Sequence, residues 1–283
     1  MTAANDIKHV DAMQPPWRRC AANVVAAVSA LARPIRVAVR DPWPLALRPL
    51  AIAAGLALFV FFLVAYEVDA AAAGAVGRLP RWLVWCFDQI TDFGKSGWFL
   101  WPLGILFLVL AALPSLPRVQ QLVLASVMVR VGFLFAAIGL PSLFVTIVKR
   151  FIGRARPPLD HSIADPFLFS PFKWTAAYAS LPSGHATTAF AVLAAFGALW
   201  PRARTILWIY ALLIAASRIA VTAHYPSDVL AGAVVGVVGA LLVRRYFALR
   251  RLGFSVAPDG AVHRYPGPSL RRIKAVAREL LGQ

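Results

Sequence analysis

The sequence predicts an all-α, polytopic membrane protein built as a bundle of six transmembrane helices. Hydrophobic residues make up 60% of the chain and charged residues only 14%, whereas soluble domains are roughly 45 to 50% apolar. The apolar residues are gathered into long runs, and lysine and arginine lie mostly outside them. Together these observations predict a membrane domain whose N-terminus and C-terminus both lie in the cytoplasm.

Six apolar runs each reach or approach the length that a membrane-crossing helix requires once flanking residues are included. A helix needs about 20 apolar residues to cross a hydrocarbon core of about 30 Å. The runs cover residues 50–66, 98–113, 131–148, 186–200, 206–221 and 229–243. We therefore predict a six-helix transmembrane domain over residues 45–245, between basic cytoplasmic tails at 1–44 and 246–283.

The distribution of basic residues predicts the orientation of the helices. Seven lysines or arginines precede Leu50, nine lie from Arg244 onward, and three more lie in the short connections after the second and fourth runs. Basic flanks of transmembrane helices face the cytoplasm. The net charge of +17 could attract nucleic acid, but its position beside the helices favours anionic headgroups. We expect no nucleic-acid partner.

The segments outside the apolar runs carry weaker signals. Residues 1–48 are expected to form mainly a solvated tail, with a surface-lying helix as the alternative. Prolines in the second tail disfavour a long helix before about Ser269. Trp82 and Trp85 are typical of an interfacial helix. The stretch 92–97 lacks the first glycine of a nucleotide-binding loop, so it predicts a polar turn.

Features within and beside the runs are interpreted as structural. Arg130 is expected near the start of the third helix, with its charge reaching the inner interface. Gly232 and Gly236 form a small-xxx-small pair that favours close helix packing. Cys20 and Cys86 are expected on opposite sides of the membrane, so no disulfide is predicted.

Three polar clusters lie at the ends of the third, fourth and fifth runs. They are Lys149 with Arg156-Pro157, then Pro182-Ser183-Gly184-His185, and then Ser217-Arg218 with His224 and Asp228. The third run exits outward at the first cluster, the fourth re-enters at the second, and the fifth exits at the last. The charge-based orientation therefore places all three clusters on the outer side. His161, in the loop between the third and fourth runs, is interpreted as an ordinary interfacial residue.

The residue types in these clusters suit a phosphate group. Lys149, Arg156 and Arg218 supply three cations, and the planar guanidinium fork matches phosphate oxygens. Ser183 and Gly184 are expected at the N-terminus of the fourth helix, where free N–H groups and the helix dipole favour an anion. The clusters therefore predict an anion-binding site at the membrane surface.

Two histidines and one carboxylate could provide the chemistry. His224 and His185 can act as a nucleophile and an acid, and Asp228 could accept a hydrogen bond from the far nitrogen of His224. Pro226 suits the first turn of the sixth helix, which would place Asp228 at its start. The remaining outer carboxylates are scattered, so no metal site or cofactor is predicted.

The three clusters resemble the signature of the type 2 phosphatidic acid phosphatase superfamily, which also includes glucose-6-phosphatase and vanadium haloperoxidases. Every signature position is matched, and the resemblance covers roughly residues 45–245. It implies that His224 attacks phosphorus and forms a phosphohistidine, that Asp228 orients its ring, and that His185 protonates the departing alkoxide. It also implies phosphate contacts from Lys149, Arg156, Arg218, Ser183 and the Gly184 N–H.

The expected function is metal-independent hydrolysis of a phosphomonoester or diphosphate on a membrane lipid. We expect the site on the periplasmic side of a bacterial inner membrane, with undecaprenyl diphosphate, phosphatidylglycerol phosphate, phosphatidate or lipid A phosphate as the substrate. One alternative is a phosphotransferase that passes the phosphate to another lipid. A non-catalytic lipid transporter or scaffold is the other, although transporters usually place polar residues near the bilayer midplane. The sequence makes no prediction of oligomeric state.

Overall fold

The computed structural model describes residues 15–35, 47–113, 116–158 and 165–282, and these residues are mainly helical. The α-helices are α1 (Pro16–Leu31), α2 (Leu47–Glu67), α3 (Asp69–Val76), α4 (Arg81–Thr91), α5 (Gly97–Ala112), α6 (Arg118–Ile152), α7 (Gly184–Leu199), α8 (Arg204–Ala220), α9 (Pro226–Leu249) and α10 (Leu270–Leu281). Strands β1 (Phe254–Val256) and β2 (Val262–Arg264) pair antiparallel. His161 and the predicted domain boundary at residue 44 lie outside the described residues.

Five helical segments among the described residues are long and apolar enough to cross a membrane. They are Pro49–Glu67, Arg81–Ala112, Arg118–Ile152, Pro201–Ala220 and Pro226–Leu249. Helix α7 is also apolar but has only 16 residues, which corresponds to about 24 Å at 1.5 Å per residue. The predicted polytopic helical fold is therefore confirmed, with five helical segments of full spanning length and a shorter α7 where the fourth of six helices was expected.

The chain divides into two compact units. The tail unit comprises residues 1–39, 100–135 and 244–283, and the site unit comprises residues 40–99 and 136–243. All eight residues that the sequence predicts for catalysis and phosphate binding belong to the site unit.

Aromatic packing forms part of the core of the tail unit. The Phe133 ring meets the rings of Phe247 and Phe254 edge-on, at centroid distances of 5.6 and 4.8 Å. Helix α10 begins directly after Ser269, which agrees with the prediction that prolines disfavour a long helix before it. Ser269 Oγ accepts a hydrogen bond from Arg272 N at 3.4 Å. Residues 246–283, predicted as a tail, therefore contain packed secondary structure.

The N-terminal segment differs from the solvated tail that the sequence favours. Residues 16–31 form α1. Asn23 Nδ2 donates a hydrogen bond to Ala111 O at 2.6 Å, and Leu31 O accepts one from Tyr246 Oη at 2.7 Å. These tertiary partners are distant in sequence, so the local pattern did not reveal them.

Arg130 also lies in a different setting from the one predicted. Helix α6 begins at Arg118, so Arg130 is inside the helix rather than near its start. Its guanidinium donates to Ser126 O at 2.8 Å, and to Tyr265 O and Pro266 O at 3.1 and 3.0 Å. Backbone carbonyls of the C-terminal segment therefore satisfy this arginine.

Helix α7 is enclosed within the site unit, and 12 of its 16 residues are buried. A Cβ atom added to Gly232 of α9 would lie 2.5 Å from Ser183 O, and one added to Gly236 would lie 2.9 Å from Ala191 N. Only glycine permits so close an approach of the two backbones. The packing predicted from Gly232 and Gly236 is thus confirmed.

The segment between α3 and α5 forms a helix and a turn, as the sequence predicts. Helix α4 carries Trp82 and Trp85, whose side chains are exposed. A 3₁₀ turn over Asp92–Gly94 separates α4 from α5, and Lys95 Nζ forms an ion pair with Asp92 Oδ1 at 2.8 Å. The polar turn expected at residues 92–97 is confirmed.

Candidate active site

The structure positions the predicted site residues at the ends of four helices of the site unit. Lys149 lies in the last turn of α6, and Arg218 lies in the last turn of α8. Ser183 is the N-cap of α7. Pro226 begins α9, as predicted, and Asp228 lies in its first turn. Because Ser183 N donates to Asp228 O at 3.0 Å, the start of α7 is tied directly to the start of α9.

Electrostatic interactions link the two histidines with the three predicted cations. His185 interacts with Lys149, Arg218 and His224. Arg156 in turn interacts with both Lys149 and Arg218. Residues from three separate sequence clusters therefore share one site, which is the arrangement that the clusters predicted.

His224 occupies the turn between α8 and α9 and is only 4% exposed. Its backbone N–H donates to Arg218 O at 3.2 Å. The ring Nδ1 lies 3.8 Å from Asp228 Oδ2, which is longer than a hydrogen bond. Ser180 Oγ lies 3.5 Å from Nδ1 and donates to the same carboxylate oxygen at 2.5 Å. Ser180 thus bridges the imidazole and the carboxylate, where the sequence predicted a direct contact.

Burial determines the protonation of His224. It lowers the pKa of His224 below its ordinary value of 6.5, and the nearby Asp228 carboxylate opposes this shift without cancelling it. The imidazole is therefore neutral at neutral pH. Because Nδ1 faces Ser180 and Asp228, the proton belongs on Nδ1 and the lone pair on Nε2. A neutral ring in this tautomer has the form that a nitrogen nucleophile requires.

The Asp228 carboxylate is held from several directions. Its Oδ2 accepts a hydrogen bond from Tyr225 N at 2.9 Å, in addition to the bond from Ser180. Its Oδ1 accepts from Arg154 Nη1 at 2.5 Å. Asp228 is fully buried. The carboxylate that faces His224 therefore has a defined orientation.

Three buried polar atoms of the site have no hydrogen-bond partner among the described residues. They are Ser183 Oγ, Arg156 Nε and Arg218 Nε. An unsatisfied buried polar group costs about 1 to 3 kcal/mol, so these three groups favour a ligand that can hydrogen-bond with them. A phosphate group offers several acceptor oxygens. Arg218 is oriented from its other side, where Nη1 donates to Thr91 Oγ1 at 2.5 Å.

Positive charge in the site is concentrated and partly desolvated. Arg156 repels both Lys149 and Arg218. Burial lowers the pKa of Arg156 from its ordinary value, and Asp228 acts in the opposite direction, but a guanidinium stays charged at neutral pH. An anion bound among the three cations would relieve their repulsion.

Gly184 leaves room for a ligand at the N-terminus of α7. A Cβ atom added to Gly184 would lie 4.0 Å from Lys149 Nζ. The volume that a larger side chain would occupy therefore faces the ammonium group. First-turn N–H groups of a helix favour an anion, so this position suits a phosphate oxygen.

An apolar groove adjoins the site between α4 and α8. Its volume is about 260 Å³, and its lining includes Ile90, Ile209 and Ile214. A Cβ atom added to Gly94 would lie 2.7 Å from Ile214 Cγ2 and 2.9 Å from His185 Cδ2. Gly94 therefore lies between His185 and the Ile214 side chain that lines the groove.

Sequence reasoning missed several residues that support the site. They are Asp69, Thr91, Arg154, Ser180 and Ser227. Arg154 lies within the first polar cluster, between Lys149 and Arg156, and Asp69 lies outside all three clusters. The position of each depends on contacts between distant segments, so no local pattern distinguished them.

Comparison with known proteins places this site in a family. A model of the PAP2 superfamily matches residues 130–252, a range that contains all eight predicted site residues. The chain is 38% identical to the lipid A 1-phosphatase of Rhizobium johnstonii over 175 residues. These aligned residues make up 61% of this chain and 71% of the relative. The chain belongs to the PAP2 superfamily. A second relative, the lipid A 1-phosphatase of Rhizobium etli, is 38% identical over 175 residues, or 61% of this chain and 75% of that protein.

Two solved structures show a partial likeness to this chain. The crystal structure of Aquifex aeolicus LpxE is 23% identical, with a TM-score of 0.46 over 63% of this chain and 95% of that one. The transmembrane PAP2 type phosphatidylglycerolphosphate phosphatase from Bacillus subtilis is also 23% identical, with a TM-score of 0.46 over 66% and 92%. The family match and the rhizobial relatives show that the chain is a membrane lipid phosphatase of the PAP2 type.

Proposed function

We propose that this phosphatase removes the 1-phosphate of lipid A through a phosphohistidine on His224. The observation that carries the mechanism is the buried His224 imidazole beside three polar atoms that lack a partner in the described chain, on Ser183, Arg156 and Arg218. The names of both rhizobial relatives support lipid A as the substrate. Among the candidate lipids, it is therefore the one we favour.

The first chemical step transfers the phosphoryl group to the enzyme. The Nε2 lone pair of His224 forms a bond to phosphorus while the bond from phosphorus to the lipid oxygen breaks. His185 takes up a proton as the phosphate anion binds beside it, and it gives that proton to the departing oxygen, so the lipid leaves as an alcohol. Positive charge develops on the imidazole of His224, and the Asp228 carboxylate, 3.8 Å from Nδ1, stabilises it.

The second step returns the enzyme to its starting state. His185, now neutral, accepts a proton from a water molecule as the water oxygen bonds to phosphorus. The bond between phosphorus and Nε2 breaks, and its electron pair returns to His224. Inorganic phosphate is released, and both histidines regain their original protonation.

Charge stabilisation in both steps comes from the protein itself. Phosphoryl transfer depends mostly on positioning and on stabilising charge at the equatorial oxygens. Lys149, Arg156 and Arg218 supply three cations for this purpose, a role that Mg²⁺ performs in other phosphoryl-transfer enzymes. We therefore propose that the reaction needs no metal ion.

The lipid is proposed to reach the site from within the bilayer. The apolar groove beside His185 can accept a hydrocarbon chain while the phosphate lies among the cations. The distribution of basic residues supports six spans, with α7 as the short fourth span, and both tails in the cytoplasm. The site would then face the periplasm of a bacterial inner membrane.

The test uses the purified full-length protein in detergent micelles with lipid A, phosphatidylglycerol phosphate and undecaprenyl diphosphate. We expect phosphate release to be fastest from lipid A, and His224→Ala to lower it by at least about 10³-fold because the nucleophile is lost. His263→Ala is the matched control, since His263 is an exposed residue of β2. Excess EDTA should leave the rate unchanged.

Three results would contradict parts of the proposal. Wild-type activity of His224→Ala would exclude its role as nucleophile, and faster release from another lipid would exclude lipid A as the preferred substrate. With ³²P-labelled donor and unlabelled acceptor lipids, appearance of label in an acceptor rather than in free phosphate would indicate a phosphotransferase.

A further inference from the structure

Arg154 forms a buried junction behind the proposed nucleophile. Only 1% of its surface is exposed. Nη1 donates to Asp228 Oδ1 at 2.5 Å and to Ser227 Oγ at 2.6 Å, while Nη2 donates to Asp69 Oδ2 at 2.7 Å. Nε donates to Pro166 O at 2.8 Å. A single guanidinium therefore connects two carboxylates that lie far apart in sequence.

Asp69, in the first turn of α3, completes this junction. It is fully buried. Its Oδ1 accepts from Ser227 N at 2.9 Å, and its Oδ2 accepts from Ser227 Oγ at 2.5 Å as well as from Arg154. Both oxygens therefore hold the residue that precedes Asp228. The carboxylate of α3 thus positions the first turn of α9 through two independent contacts.

The charges in this cluster do not balance. Asp69 and Asp228 contribute two negative charges, and Arg154 contributes one positive charge, which leaves a net charge of −1 next to His224. A buried charge is retained only when it is well paired and hydrogen-bonded. If Asp69 were neutral, Arg154 and Asp228 would cancel each other. The imidazole would then face a neutral ion pair in place of a net negative charge.

We propose that Asp69 and Arg154 are positioning residues of the catalytic reaction. They hold Asp228 with Oδ2 directed toward Ser180 and His224, and Asp69 keeps the cluster negative so that Asp228 can stabilise the charge that develops on His224. The proposal rests on the proposed nucleophilic role of His224. Neither Asp69 nor Arg154 contacts the phosphate-binding atoms, so both act through Asp228.

Asp69→Asn is the first test because it removes the charge with little change in shape. We expect kcat for phosphate release in micelles to fall roughly 10- to 100-fold, as misplacement of a reacting group does, while KM stays within about twofold. Arg218→Lys, which alters a proposed phosphate contact, should raise KM as well. Asp259→Asn is the matched control, because Asp259 is exposed in the hairpin turn. An unchanged kcat for Asp69→Asn would overturn the proposal.

A double-mutant cycle separates positioning from general destabilisation. If Asp69 acts through Asp228, Asp69→Asn should have little further effect on kcat in the Asp228→Asn background. An equal fall in both backgrounds would refute the proposal and indicate a general structural effect. Arg154→Lys should recover part of the activity lost in Arg154→Met, because lysine keeps the charge but not the guanidinium fork. No difference between these two variants would contradict the role of the charge.

The outcome also distinguishes this proposal from the proposed function. If His224→Ala is inactive and Asp69→Asn behaves as wild type, only the positioning role fails. If His224→Ala remains active, the phosphohistidine mechanism fails, whatever the effect of Asp69→Asn.

Discussion

Replacing Gly232 with alanine should impair the enzyme without altering any residue that touches the substrate. Gly232 lies on α9, where a Cβ atom would approach Ser183 O to 2.5 Å, and Ala186 Cβ and Thr187 Oγ1 to 3.2 Å. The closest of these atoms is a backbone carbonyl, which cannot rotate away. Helices α7 and α9 must therefore separate for alanine to fit.

The geometry sets the size of this effect. The added Cβ atom must move 0.5 Å away from Ser183 O to lengthen their contact from 2.5 Å to the 3.0 Å minimum. It must move 0.9 Å to reach an ordinary contact of 3.4 Å. Ser183 carries one of the unpartnered polar atoms, and Asp228 lies on the opposite helix, so the shift moves the proposed phosphate site relative to the proposed nucleophile. Overpacking costs about 1 to 3 kcal/mol of stability. Misplacement approaching 1 Å can lower catalysis by up to about 10²-fold.

Steady-state phosphate release and thermal unfolding in the same detergent would test this reasoning. Gly232→Ala should lower kcat/KM roughly 10- to 100-fold while the protein remains folded at the assay temperature. Gly55→Ala is the matched control, because among the described residues no atom lies within 4 Å of a Cβ added there. Wild-type kcat/KM in Gly232→Ala would show that the contact between α7 and α9 does not set the geometry of the site.

Two further predictions concern His224 and its partners. Because burial lowers the pKa of His224, its neutral form should persist as the pH falls through 6.5, and protonation should occur only below that value. A ¹⁵N NMR titration of the ring in detergent, assigned with His224→Gln, checks this, and a midpoint above 6.5 would contradict it. Ser180→Ala removes the hydroxyl that bridges His224 and Asp228, and a charge-assisted hydrogen bond contributes about 1.5 kcal/mol. We therefore expect about a tenfold lower kcat, whereas an unchanged kcat would show that the bridge is dispensable.

Much of the fold and part of the site could be predicted because they depend on local properties of the chain. The helical segments follow from runs of apolar residues, and the start of α9 follows from Pro226. The N-cap position of Ser183 follows from the residues around it. The third helix was expected to start near Arg130 because charge normally ends an apolar run, but the C-terminal segment satisfies this arginine. Its burial therefore depends on a distant part of the chain.

By itself the sequence determined that the chain crosses a membrane, and that cations, two histidines and Asp228 occur at neighbouring helix ends. Hydrophobicity and side-chain type are local properties of the chain. A long apolar run crosses the bilayer as a helix, and this places the residues at its ends near the membrane surface. Only the tertiary structure decided that Ser180 bridges His224 and Asp228, and that Asp69 meets Arg154 across 85 residues. These contacts arise where helices from distant parts of the chain pack together. A buried charge pairs with the polar groups that this packing places next to it.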